Sequence, residues 1–286
     1  MPLHLRDSGE KTDSAALNRS DAIRGLDLAT IIGIGALAYA LANVVHEGLG
    51  HGGACLLVGA RPTMFNAIFF NYDEATAGAL ARRIIAAAGS VANVLVGLLL
   101  FGVLRSPRHL SPRWRYFLWL FGAVSLLTPF GYLLYSGVGG VGDWAKVIDG
   151  ARPAAVFRLL LIVSGAWLYF VVAPRMLMPP LDAFLGREPA VREARARRLM
   201  LVPYFAGSCT LVAAGLLNPL GVQVVLISAA AAGFGGTSFL AWYRPRAPLP
   251  ATGTPLDVER STPWIAAAIL AMILFVFVLG PGIGRV

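Results

Sequence analysis

Residues 28–52 read LATIIGIGALAYALANVVHEGLGHG, an uncharged run from Leu28 to Val45 that ends in two histidines and a glutamate. A helix of about 20 apolar residues spans the hydrocarbon core of a bilayer. Ionisable side chains inside such a helix are costly and are therefore candidates for a functional role. The stretch predicts a membrane-spanning helix that carries a polar site near its end.

The composition of the whole chain is typical of a membrane protein. Of its 286 residues 57% are hydrophobic and 14% are charged, and the mean hydropathy is +0.69. Seven segments are long and apolar enough to cross a bilayer. They lie near residues 28–58, 84–104, 116–135, 155–174, 199–217, 220–243 and 263–281. The predicted fold class is an all-α polytopic membrane protein with about seven transmembrane helices.

The remaining segments suggest how the chain is organised. Residues 62–71 are apolar and aromatic but too short to cross the membrane, so we expect a strand-like or re-entrant segment after the first helix. We expect a polar N-terminal tail at 1–27, a membrane core that holds the site at 28–175, and additional transmembrane helices at 176–286. The tail lacks the apolar core of a cleavable signal peptide, so the first helix should act as an uncleaved insertion signal.

The formal net charge of +9 is a sign of membrane topology. The basic residues concentrate in the connections between apolar segments, where the positive-inside rule places them, so we expect the lipid bilayer and no nucleic acid as a partner. With the N-terminus inside, the inner connections hold 17 lysines and arginines and the outer connections hold 6. The imbalance predicts a cytoplasmic N-terminus.

His46, Glu47 and His51 offer the chemistry of a hydrolytic zinc site: neutral imidazoles to hold the metal and a carboxylate base to accept a proton from water. In a regular α-helix the i, i+5 spacing would turn the two imidazoles roughly 140° apart. A π-bulge would reduce that angle to roughly 50°, and Gly48 and Gly50 make the distortion inexpensive. We therefore predict a π-bulge and one Zn²⁺ ion. The alternative is two structural histidines that bond Glu47 or the backbone.

The string His46-Glu-Gly-Leu-Gly-His51 resembles the H-E-x-x-x-H motif of the dipeptidyl-peptidase III metallopeptidases, where that spacing holds catalytic zinc. The whole chain resembles the site-2 protease family of intramembrane zinc metalloproteases, especially its short bacterial members without a PDZ domain. Their histidine helix is followed by a G-P-x-x-N motif, and residues 89–93 here read GSVAN, with Ser90 in place of proline. The resemblance implies a bacterial plasma membrane protein in which Asn93 contacts the substrate backbone. An interhelical hydrogen bond from Asn93 is the alternative.

The resemblance also implies an aspartate as the third metal ligand. Asp143 follows a glycine-rich stretch and is the first candidate, while Asp149 and Asp182 stay open. Asp143 could also act as the N-cap of a helix at 144–148. The predicted topology places His46 and Asp143 toward the same, outer side of the membrane and Asp182 on the inner side. Known family members open their site toward the cytoplasm instead.

Together these features predict an intramembrane zinc metalloprotease that cleaves a membrane protein or peptide. Zinc held by His46, His51 and Asp143 would keep one coordination position open for water. Glu47 would act first as a general base and then as a general acid. Two other classes stay open: a zinc-binding membrane transporter that holds an ion without hydrolysis, and a catalytically inactive protease-like scaffold.

The charge imbalance yields a test of orientation. Compartment-sensitive reporters fused at Pro112 and Pro189 should report the cytoplasm, and a reporter at Val286 should report the opposite side, because the basic connections stay inside. Reporter enzyme activity in intact cells provides the measurement. An exterior signal at Pro112 or Pro189 would reverse the predicted topology.

Overall fold

Helices dominate the architecture. The structure, a computed structural model, describes residues 21–106, 109–245 and 254–284. Within these ranges seven helices are long and apolar enough to cross a membrane, which confirms an all-α, integral, multi-pass membrane protein. They are α1 (Leu28–Leu57), α2 (Ala79–Arg105), α3 (Pro112–Gly139), α5 (Ala154–Leu185), α6 (Pro189–Gly215), α7 (Val222–Trp242) and α8 (Thr262–Leu279), with the short helix α4 (Asp143–Val147) between α3 and α5.

The boundary between α5 and α6 differs from the predicted one. Helix α5 continues to Leu185, which leaves three residues before α6 where the sequence predicts a long connection. Pro179 and Pro180, which favour a break, lie inside the helix. Leu177 and Leu181 are fully buried on one face of α5. Burial of large apolar side chains stabilises the helix enough to offset the hydrogen bonds that the prolines remove.

A small antiparallel sheet follows α1. Strands β1 (Arg61–Phe65) and β2 (Phe70–Asp73) form a hairpin, and β3 (Ile283–Gly284) pairs with the other edge of β1. The strand order is therefore β2-β1-β3. The hairpin confirms the strand-like segment predicted at 62–71. The third strand is not predictable from the sequence, because two residues are too few to show an alternating pattern.

Helix α1 is the centre of the bundle. Helices α2, α6 and α8 all pack against it, and α1 and α3 are more deeply buried than α5 and α8. Small residues allow the closest approach. A Cβ added at Gly35 would lie 2.7 Å from the Cα of Pro203, and one added at Gly207 would lie 2.2 Å from the ring of Tyr39. The helices after residue 175 thus pack directly on the helix that carries the histidines.

The predicted polar tail falls mostly on residues 1–20, outside the described residues. Its last residues lie against the bundle. Leu26 is buried and forms a β-bridge with Val258, in the segment before α8. Arg195 of α6, which is 3% exposed, donates a hydrogen bond to the carbonyl of Ala22. These contacts connect the end of the tail to α6 and α8.

A glycine-rich turn determines where α4 begins. Gly140 and Gly142 have φ angles of 67° and 83°, which glycine adopts without the strain that a side chain would bring. After this turn α4 packs against α2 and α3. Asp143, the first residue of α4, is thereby directed toward the interior of the bundle.

Gly35→Ala should lower the midpoint of thermal unfolding in detergent, because the added methyl group would collide with Pro203 and push α1 away from α6. Overpacking of this kind costs about 1–3 kcal/mol. Gly102→Ala in α2 is the matched control, since no atom lies within 4 Å of its added Cβ. Better helix propensity should leave that variant unchanged or up to about 1 kcal/mol more stable. If circular dichroism showed the same decrease in the midpoint of thermal unfolding for both variants, overpacking at Gly35 would not be the cause.

Candidate metal centre

The histidine segment of α1 is a π-helix. It spans Val45–Gly52 within an otherwise α-helical element, which confirms the predicted distortion. The wider turns bring His46 and His51 together, with ring centroids 4.8 Å apart and ring planes at 85°. Both side chains are buried. A single ion between the two rings can therefore contact both imidazoles.

Asp143 completes a cluster of three potential ligands. Its Oδ2 lies 3.3 Å from His46 Nε2 and 3.2 Å from His51 Nε2. Ligand atoms about 2.0–2.2 Å from a tetrahedral zinc ion lie roughly 3.3 Å from one another. The aspartate is therefore spaced from both histidines as ligands of one tetrahedral ion would be. Among the described residues no other group of three histidine, cysteine or acidic side chains lies this close together.

The other two candidate aspartates lie elsewhere. Asp182 in α5 forms an ion pair with Arg192 of α6. Asp149 is exposed beyond the end of α4, and its backbone carbonyl accepts a 2.6 Å hydrogen bond from Arg83. Neither belongs to the histidine cluster. The contact between His46 and Asp143 also confirms that these two residues face the same end of the bundle.

The predicted capping role of Asp143 is wrong. Gly142 occupies the N-cap position, and Asp143 is the first helical residue, with its carboxylate turned toward the imidazoles. Burial raises the pKa of this carboxyl, but His51 and His46 outweigh burial and hold that pKa well below its usual range. Asp143 is therefore ionised, which metal ligation requires.

The second nitrogen of each imidazole has its own partner. His51 Nδ1–H donates a 2.7 Å hydrogen bond to the carbonyl of Ile85, so Nε2 is the nitrogen that would bind a metal ion. His46 Nδ1 lies 3.4 Å from Asn93 Nδ2. The Oδ1 atom of Asn93 has no hydrogen-bond partner within the described part of the chain. Turning this amide by half a turn would let Oδ1 accept the Nδ1–H of His46 and orient its Nε2 in the same way.

Asn93 therefore has an interhelical contact that differs from the one the resemblance implies. Its side chain is 1% exposed and lies against His46. It is not among the residues that line the neighbouring cavity. The substrate contact stays a prediction, whereas the contact with a potential ligand is a feature of the fold.

Two glycines bring α2 against the cluster. A Cβ added at Gly89 would lie 2.6 Å from Nε2 of both His46 and His51, and a Cβ added at Gly50 would lie 2.5 Å from the Cα of Gly89. Any larger side chain at residue 89 would occupy the space between the imidazoles. The glycine that opens the GSVAN string thus shapes the site, although the sequence pattern assigns it no role.

Three further residues position Asp143. The Asp143 N–H donates a 3.3 Å hydrogen bond to Tyr132 Oη of α3. The indole N–H of Trp144 donates a 3.1 Å hydrogen bond to Ser90 Oγ, across 54 residues of sequence. Ser90, the second residue of the GSVAN string, thereby connects α2 to α4. No local pattern singles out Tyr132 or Trp144, because their partners are adjacent only in the folded chain.

A cavity of about 220 Å³ adjoins the cluster. His46, His51 and Asp143 line it, and Glu47 and Lys146 line it with them. Glu47 is 7% exposed and stands outside the group of three ligand atoms. The cavity thus brings a carboxylate that is free of ligation next to a site for a cation.

The fold and the cluster define a membrane protein with a buried candidate site for a divalent metal. No protein-family model, curated protein or solved structure matches the chain. The similarity to site-2 proteases therefore stays an expectation carried by the motif residues alone.

Asn93→Ala should weaken Zn²⁺ binding about 10- to 100-fold, the usual effect of removing a partner that orients a histidine ligand. Asn93→Asp should restore most of the affinity, because a carboxylate oxygen accepts the same Nδ1–H. Competition with a chromophoric chelator measures both dissociation constants in detergent. Unchanged affinity in Asn93→Ala would show that Asn93 does not orient His46, and comparable thermal midpoints would exclude a folding defect.

Proposed function

We propose that this chain is an intramembrane zinc metalloprotease that hydrolyses peptide bonds of membrane-embedded or membrane-adjacent protein segments. The observation that carries the proposal is the position of Glu47, buried beside His46, His51 and Asp143 in one cavity. We place the protein in a bacterial plasma membrane with its N-terminus in the cytoplasm, on the grounds of the motif resemblance and the charge imbalance.

His46, His51 and Asp143 would hold the zinc ion. Two imidazoles and one carboxylate leave the fourth tetrahedral position open, as catalytic zinc sites require. A bound zinc ion would lower the pKa of a water molecule and polarise the scissile carbonyl. The hydrogen bond from His51 to the Ile85 carbonyl and the contact between His46 and Asn93 would keep both imidazoles directed at the zinc ion.

Glu47 would perform the proton transfers. Its carboxylate accepts a proton from the attacking water and then donates it to the departing amine nitrogen. The residue follows His46 directly, so the π-helix that positions the histidine positions the base as well. Since Glu47 binds no metal in this scheme, its role is separable from ligation.

An apolar groove supports a substrate that comes from the membrane. The groove, of about 480 Å³, lies between α3, α5 and α7. It shares Thr128, Tyr132 and Ile227 with the cavity beside the cluster. Val138 and Phe170 line it and are 66% and 55% exposed. An apolar segment of another membrane protein could lie in this groove and extend toward the cluster.

Strand β2 supports a substrate in extended conformation. It pairs with β1 on one edge, and no described strand covers its other edge. Phe70 and Tyr72 of β2 line the cavity beside the cluster. An uncovered strand edge offers backbone hydrogen bonds to an added strand. Hydrolysis needs such an extended segment, because the helical conformation shields the backbone carbonyl.

Glu47→Gln should retain zinc and lose cleavage, because the amide keeps the shape of the side chain but cannot accept a proton. The expected loss is at least about 10²–10⁴-fold. Asp143→Ala should lose both zinc and cleavage, and Asp149→Ala, the matched control just beyond the end of α4, should keep both. Metal analysis of the purified variants and mass spectrometry of single-span substrate proteins in liposomes provide the two measurements.

The same variants separate the protease from the other classes. Full cleavage by Glu47→Gln would refute the proposed mechanism. Zinc in the wild-type protein that depends on Asp143, together with cleavage of no substrate in the panel, would favour a transporter or an inactive scaffold. Absence of zinc from the wild-type protein would refute the proposed metal site.

A further inference from the structure

A second, polar cavity adjoins the candidate catalytic cavity. This vestibule has a volume of about 550 Å³. It shares Tyr72, Gly142 and Lys146 with the catalytic cavity, and the apolar groove shares none of these three residues. The catalytic cavity therefore has two different neighbours, one apolar and one polar. A chain that extends from the groove past the cluster would continue into the vestibule.

The vestibule carries an excess of positive charge among the described residues. Arg82, Arg83 and Lys146 line it together with Glu74 and Asp149. The pair between Arg82 and Glu74 is long, at 3.9 Å, and both side chains are largely exposed, so the two charges neutralise each other only weakly. Arg83 donates to the backbone carbonyl of Asp149 and not to its carboxylate.

Lys146 has a distinct position among these cations. It is the one basic residue within the described chain that lines both the vestibule and the catalytic cavity. It lies on α4 three residues after Asp143, which is roughly 4.5 Å along a helix axis. An extended chain advances roughly 3.3 Å per residue. A substrate side chain within a few residues of the scissile bond would therefore come within reach of the Lys146 ammonium group.

We infer that Lys146 selects a substrate carboxylate on the vestibule side of the scissile bond, an inference that rests on the proposed proteolysis. The substrate class is then a membrane segment with an apolar part in the groove and an aspartate or glutamate on the vestibule side of the cleavage site. No ion pair of the ammonium group within 4.0 Å is found among the described residues. Its acidic neighbour in the catalytic cavity is Glu47, with which it interacts electrostatically over a longer distance, so an incoming carboxylate can bind the ammonium group without breaking a direct pair. A basic substrate residue at this place would be repelled.

Binding to the catalytically impaired Glu47→Gln protein tests the selection. Three fluorescent peptides share about 20 apolar residues, a length that spans a bilayer, and differ only in the residues that flank this segment at both ends: aspartates, asparagines or lysines. In zwitterionic detergent with Zn²⁺, fluorescence anisotropy should rank the affinities as aspartate, then asparagine, then lysine. We expect about a fivefold difference between aspartate and asparagine, the upper range for an exposed ion pair, and a smaller one at high salt.

Lys146→Glu in the same background should reverse the ranking of the aspartate and lysine peptides. Arg105→Glu, the same charge change at the opposite end of α2 from Arg82, is the matched control and should leave the ranking unchanged. Equal affinities, a ranking that survives Lys146→Glu, or failure of all three peptides to bind would overturn the inference. An equal effect of Lys146→Glu on all three peptides would show that the lysine affects binding without selecting charge, and would overturn the inference too.

Cleavage by the wild-type protein separates this inference from the proposed function. Mass spectrometry follows the three peptides with wild-type protein under the same conditions. Charge-ranked binding without cleavage would retain the selection by Lys146 and refute the protease. Cleavage of all three peptides at equal rates, with equal binding, would retain the protease and refute the selection.

Discussion

The structure depends on one constraint, which is the burial of two imidazoles and one carboxylate inside an apolar helix bundle. His46, Glu47 and His51 are each 6–7% exposed, and buried polar groups are costly unless other polar groups satisfy them. Helix α1 does not provide those partners itself, because Asn43, the polar residue that precedes the histidines most closely, donates its hydrogen bond to the carbonyl of Ala67. Helices α2 and α4 provide them, through the Ile85 carbonyl, the Asn93 amide and the Asp143 carboxylate. The arrangement of three helices thus follows from the needs of one short polar segment.

The π-helix and the glycines together allow the backbone of α2 to approach the two imidazoles. One extra residue per turn aligns His46 and His51, but a wider turn also fills more space on the helix surface. Gly50 faces Gly89 at a distance that no side chain at either residue would allow, so the backbone of α2 reaches the imidazoles. Glycine normally destabilises a helix by roughly 1 kcal/mol. Here the glycines are needed despite this cost, because side chains at residues 50 and 89 would prevent α2 from approaching the imidazoles.

The sequence was sufficient to predict the features that local patterns determine. Seven apolar runs, a strand-like segment at 62–71 and the π distortion each follow from patterns along neighbouring residues, and so does the pairing of His46 with His51. The sequence was not sufficient for features that depend on packing between distant segments. Buried leucines keep α5 helical through two prolines, and the fold alone separates Asp143, the first candidate, from Asp149 and Asp182 as the carboxylate that faces the histidines. Trp144 and Ser90 meet across 54 residues, so no local pattern could have paired them.

Hydrolysis of a peptide bond in a membrane needs two environments that exclude each other, an apolar surface for the substrate and access for water. The cavity beside the cluster borders both, since it shares Tyr132 with the apolar groove and Gly142 with the polar vestibule. Exposed apolar side chains cover the lipid-facing surface of any membrane protein, but an ion carrier would have no use for an apolar groove that shares lining residues with the cavity of its metal ligands. A scaffold without activity would have no need to bury Glu47 at the energetic cost that an unligated carboxylate carries. The position of the cluster between a lipid-like and a water-like surface is therefore the strongest physical argument for proteolysis over transport or simple binding.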